Sequence, residues 1–87
     1  GCNALHLEAM LRKPDLHYVR TIINNGIDLN KITYNGNTPL HMWVENLRRR
    51  KRYYTNELLA FGDILVKEFG ASLDIKNNKG YTPLDIA

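Results

Sequence analysis

The stretch Gly36-Asn37-Thr38-Pro39-Leu40-His41-Met42 decides how the chain reads, because it recurs. Gly80-Tyr81-Thr82-Pro83-Leu84-Asp85-Ile86 repeats it closely, and Gly1-Cys2-Asn3-Ala4-Leu5-His6-Leu7 repeats it in degenerate form. A second element alternates with it: Asn25-Gly26-Ile27-Asp28-Leu29-Asn30 and Phe69-Gly70-Ala71-Ser72-Leu73-Asp74. Each unit keeps one order, with the Thr-Pro-Leu element first, then helical stretches, then glycine and a short apolar tail. Self-similarity of this kind marks a repeat architecture, in which each unit buries its apolar face against the next.

Each part of the repeat has a mechanical reason. Thr38 before Pro39 predicts a helix N-terminus, since the hydroxyl accepts an orphan backbone N–H and proline lacks a donor where none is needed. Thr82-Pro83 repeats this, and Asn3-Ala4 substitutes for it. Gly26 and Gly70 follow apolar stretches and suit a left-handed helix terminus. Asn35-Gly36 and Lys79-Gly80 fit tight turns. Leu16, Val19 and Ile23 fall on one helical face, with Tyr18 and Ile22 beside it. Leu58, Phe61, Leu65 and Phe69 do the same, with Ile64 adjacent and Thr55 or Asn56 as the cap. Gly62 interrupts that second helix, at about 1 kcal/mol against alanine, with no reason visible in the sequence.

These residues resemble the ankyrin repeat, whose pattern is Gly-x-Thr-Pro-Leu-His-x-Ala-Ala, an outer helix, then Gly-Ala-Asp-x-Asn. The resemblance spans nearly the whole chain. It implies an all-α repeat solenoid of helix-loop-helix units joined by short β-hairpin fingers, about two and a half repeats in extent. The units would be residues 1–33 (degenerate and incomplete at its start), residues 34–77, and the beginning of a further unit at 78–87. From Leu5 to Leu40 is 35 residues and from Leu40 to Leu84 is 44, against a family period of about 33. The extra length is expected between inner and outer helices: near Arg12-Lys13-Pro14-Asp15 in the first unit, and at 47–58 in the second. Pro14 is expected to end the first inner helix and Asp15 to cap the outer one. Glu8 and Trp43 stand where the family carries the first of two small alanines, so a large side chain there should spread the helices or point outward. Neither end carries a polar capping repeat, and stacks need about three units. The chain is therefore expected to be a slice of a longer array.

Composition narrows the function. The apolar share of 44% is ordinary for a globular chain. No apolar run approaches the length of a membrane span, and no signal-peptide pattern opens the chain. The single cysteine, Cys2, cannot close an internal disulfide, which fits an intracellular setting, cytoplasmic or nuclear. The net charge is +3, but Arg48, Arg49, Arg50, Lys51 and Arg52 form one run, and the rest of the chain is slightly acidic. The basicity is local, which argues against a general nucleic-acid surface. The run reads as a solvated insertion loop, a nuclear-import segment, a docking patch for an acidic protein, or a contact for RNA or DNA aided by Tyr53 and Tyr54.

Catalysis has no foothold in the sequence. There is no nucleophile elbow, no phosphate-cradling glycine loop and no metal-ligand spacing, so neither an enzyme site nor a cofactor is expected. His6 and His41 share one repeat position; in the family that imidazole bonds the neighbouring finger, and Asp85 holds the position in the third unit. The resemblance instead implies a partner protein lying across the finger tips and inner helices. Position by position, that surface is Ile32, Tyr34, Asn35, Asn37, Glu45 and Asn46 in the second unit, and Lys76, Asn78, Lys79 and Tyr81 in the third. Cys2, Met10 and Leu11 extend it in the first. Two tyrosines among asparagines suit recognition, as rigid anchors beside adaptable polar groups. The long irregular insertions and the tails Thr21-Ile22-Ile23-Asn24-Asn25 and Asp74-Ile75-Lys76-Asn77-Asn78 resemble poxvirus ankyrin proteins. That implies a host-range or virulence factor binding a host defence protein; a cellular ankyrin scaffold is the alternative.

Overall fold

A computed structural model describes residues 2–86. Gly1 and Ala87, placed by the sequence in the first finger and the third inner helix, lie outside the described residues. The elements in order are α1 (Ala4–Ala9), α2 (Leu16–Asn24), α3 (Pro39–Arg50), α4 (Asn56–Asp63) with a π-helical extension (Ile64–Glu68), and α5 (Pro83–Ile86). The inner helices α1, α3 and α5 pack side by side, while α2 and α4 pack against each other on the outer side.

The helix starts are where local chemistry puts them. Asn3, Asp15, Thr38 and Thr55 each accept the N–H three residues on, from His6, Tyr18, His41 and Leu58. Each such cap is worth about 1 kcal/mol. The core between the layers is Leu5, Val19, Leu40, Phe61, Ile64 and Leu65, with Ala9 closing the interface of the inner helices. Full burial of each large aliphatic or aromatic side chain contributes about 1.5–3 kcal/mol.

Four expectations change. The fingers contain no β-strand among the described residues. Each is a tight turn held by two main-chain bonds, Thr33 N–H to Asn37 O at 3.0 Å with Gly36 N–H to Thr33 O at 2.8 Å, and Asn77 N–H to Tyr81 O at 2.8 Å with Gly80 N–H to Asn77 O at 2.9 Å, too short for a ladder to propagate. Second, α1 stops at Ala9, well before Pro14. The carbonyls of Ala9 and Leu11 accept instead from the buried Asn46 side chain at 2.9 and 3.0 Å. Third, only Lys51 and Arg52 of the basic run lie outside a helix: Arg48, Arg49 and Arg50 form the last turn of α3, where cations offset the partial negative charge of the helix end. The chain then reverses through Lys51, with φ 55° and ψ −113°, and Tyr53 N–H bonds Arg50 O at 2.8 Å. That is the first inner position of a type II′ turn, where glycine is normal. A lysine held there stores about 1–3 kcal/mol of strain.

The fourth concerns length. Gly26 lies three residues beyond the core residue Ile23, but Gly70 lies five beyond Leu65. Those two extra residues sit in the π-helical extension, so part of the second unit's added length belongs to its outer helix and not to 47–58. A π turn is wider than an α turn. The four-residue step from Leu65 therefore does not bring Phe69 back to the same face, and Phe69 is only half-buried while Ile64 and Leu65 are buried.

Candidate partner-binding surface

The histidines set the spacing of the fingers. His6 Nδ1 accepts from Asn3 N–H at 3.0 Å, and Nε2 faces Asn37 O at 3.1 Å. His41 repeats this one unit on, with Thr38 N–H at 3.0 Å and Tyr81 O at 2.7 Å. An amide N–H only donates and a carbonyl only accepts, so both rings are neutral with the proton on Nε2. Both are buried. Burial pushes the pKa of His6 below its ordinary value, against the opposing pull of the Asn37 and Lys31 backbone. Asp85 keeps the cap half of this device only: its carboxylate accepts Thr82 N–H at 3.0 Å, which lowers its pKa, with help from the Thr82 hydroxyl and the nearby Lys76 charge.

The fingers are then stitched to each other. Asn78 N–H donates to Asn35 O at 2.9 Å, its side chain to Tyr34 O at 2.7 Å, and Asn77 to Asn37 Oδ1 at 3.1 Å. Gly36 makes this approach possible: a Cβ there would collide with the main chain and side chain of Asn78, and its φ is +78°. The result is a fixed edge from which Tyr34 projects at 90% exposure, with Ile32 and Tyr81 about half exposed. Between the second of these fingers and the inner helices lies a hollow of about 500 Å³, lined in part by Glu45, Lys79, Tyr81, Arg48 and Asp85.

The ten residues assigned to the partner surface therefore separate. Glu45, Lys79 and Tyr81 meet around the hollow. Ile32 and Tyr34 stand exposed on the neighbouring finger, and Lys76 is exposed beside Asp85. Asn35, Asn37 and Asn78 spend polar groups on finger-to-finger and histidine bonds. Asn46 does not belong to the exposed surface: it is 2% exposed, donates to Ala9 O and Leu11 O, and accepts from Arg50 Nε at 2.8 Å. Spacing alone put it on the open face, but the early end of α1 turns it inward. Asp85, which the sequence did not select, and Arg48, selected only for the basic patch, also line the hollow; Asp85's repeat register with His41 was the available signal.

A layered stack of helix pairs, cross-linked at its turns by a repeated histidine, defines a helical repeat protein. The family model described as ankyrin repeats (many copies) matches residues 3–49, more than half of the chain, and the chain belongs to that family. Ankyrin repeats generally mediate protein–protein interaction. Among the described residues no group of His, Cys, Asp and Glu could hold a metal ion, and no helix is long and apolar enough to cross a membrane.

Proposed function

We propose that this chain is a non-catalytic protein-binding module whose partner lies across the finger edge and into the hollow beside Glu45, Lys79 and Tyr81. The observation that carries this is the pairing of Tyr34 and Tyr81 on fingers already locked together, so that binding orders little backbone. Glu45 and Lys79 at the hollow supply charges of both signs, suited to orienting a polar partner segment. Tyr34→Ala combined with Tyr81→Ala removes both anchors without touching the core. Partner affinity should fall at least tenfold while the thermal midpoint stays put, since anchor residues carry about 2 kcal/mol or more each. Unchanged affinity would move the interface elsewhere.

The irregular insertions and isoleucine- and asparagine-rich tails support a narrower reading, a poxvirus-type host-range factor that engages a host defence protein. Affinity capture from infected and uninfected cell extracts separates this from a cellular scaffold: the viral reading requires a defence protein retained by the tyrosine-bearing chain and lost by the double variant.

A further inference from the structure

The basic run does not act alone in three dimensions. Thr55 Oγ1 donates to Arg12 O at 2.8 Å, and Lys13 Nζ lies 3.9 Å from Glu57. Asn46 ties Leu11 O to the same end of α3, and also accepts from Arg50. These contacts bring the connection after α1 against the reversal after α3. Arg12 and Lys13, remote in sequence, thus join Arg49, Lys51 and Arg52, all exposed, at one end of the inner helices.

Helix-end electrostatics account for Arg48–Arg50, but not for the cations outside the helix. Lys51 is the sharper sign. It holds a backbone conformation in which glycine would be comfortable, so the chain retains a charge there at the expense of stability. Beside Arg49 is a hollow of about 160 Å³ between Met10, Met42, Glu45, Asn46 and Arg49, large enough for one apolar side chain. Methionine linings adapt to varied shapes.

We infer that Arg12, Lys13, Arg49, Lys51 and Arg52 form one cationic docking surface for an acidic segment of the partner protein, with an apolar side chain of that segment seated between Met10 and Met42. This rests on the reading of the chain as a protein-binding module and adds a second contact to it. A nucleic acid fits less well. Glu45 beside Arg48 and Glu57 beside Lys13 interrupt the positive field, which penalises a uniformly charged phosphate backbone, and the methionine hollow offers that backbone nothing. An acidic peptide can place its carboxylates on the arginines and set its apolar side chain, not a carboxylate, beside Glu45 at the hollow.

The test uses the purified chain and three fluorescein-labelled probes: a peptide alternating glutamate and leucine, its glutamine counterpart, and an oligothymidine. The acidic peptide should bind, and more weakly as salt rises. Arg12→Gln with Lys13→Gln should weaken it about fivefold, as expected for two exposed charge pairs. Lys51→Gly should weaken it about twofold while raising the thermal midpoint, a split that a purely structural lysine would not produce. The surface is overturned if the glutamine peptide binds equally, if the Arg12 and Lys13 changes leave affinity untouched, or if oligothymidine binds more tightly than the acidic peptide. Tyr34→Ala with Tyr81→Ala should not alter this titration, so failure of the finger surface and failure of the cationic one are read separately.

Discussion

The two helix pairs begin alike and diverge at one position. Glu8 in α1 and Trp43 in α3 occupy the same place in the repeat, where the family carries a small alanine. Both side chains turn toward their own outer helix and bond its backbone, with opposite polarity. Glu8 Oε1 accepts Asp15 N–H at 2.9 Å, at the start of α2. The Trp43 indole N–H donates to Leu58 O within α4. In the first pair α1 is short, ending after six residues, and Glu8 reaches past its end to the cap of α2. The second makes room by deletion: Gly62 is buried against the indole, and a Cβ there would overlap the ring. Neither bulky side chain simply points outward: Glu8 bonds Asp15 N–H and Trp43 bonds Leu58 O. Trp43 is accommodated by the absence of a side chain at residue 62, which also explains the glycine inside α4.

The strongest way to break this comparison is Gly62→Ala. Alanine is the better helix former by about 1 kcal/mol, yet forcing a methyl into the indole should destabilise the chain by a net ~2–3 kcal/mol. In a Trp43→Ala background the sign should reverse, so that Gly62→Ala raises the thermal midpoint. Additive effects across this double-mutant cycle would show that the two residues do not share space.

Asn46→Ala attacks the join between the pairs. It leaves the Ala9 and Leu11 carbonyls without their donor, for an expected loss of about 1–3 kcal/mol in denaturant unfolding. The equivalent position in the first unit is Leu11, which is exposed, so Leu11→Ala should be nearly silent. Comparable losses at both would mean that the join is not specific to the second unit.

The smallest effect is a pH dependence at the first histidine link. Burial holds the pKa of His6 below 6.5 in the folded state. Below about pH 6.5 the unfolded chain takes up a proton that folded His6 refuses. Stability contributed by neutral His6 is thus complete above that value and declines as pH falls toward the folded pKa. A protonated ring would also lose the acceptor that holds Asn3 N–H. Thermal midpoints measured from pH 7.5 down to 5 should show the decline, and His6→Gln should flatten it; an identical slope in that variant would assign the effect to another group.

Legibility in the sequence followed the range of the forces involved. The caps at Asn3, Asp15, Thr38 and Thr55, the turn glycines and the two histidine positions were all readable, because each depends on neighbours within a few residues. Tyr34, Tyr81 and Lys79 were readable as surface for the same reason: repeat register places them on turns. Asn46 was misplaced because its burial depends on where α1 stops, 37 residues earlier at Ala9. Arg12 and Lys13 could not be joined to the basic run, since only the Thr55, Asn46 and Glu57 contacts bring them to it. The π-helical extension left a trace in the longer step from Leu65 to Gly70, but a count of residues does not say which turn widens.

What the sequence by itself determined is the repeat: its caps, its turns, and the recurring position of its histidine. Those are short-range hydrogen bonds and backbone preferences, encoded where they act. What only the tertiary structure decided is how the irregular pieces are accommodated. Gly62 beneath Trp43, Asn46 across to α1, and the cations gathered from two connections are all contacts between residues far apart in the chain, selected by shape and by the need of buried polar groups for partners.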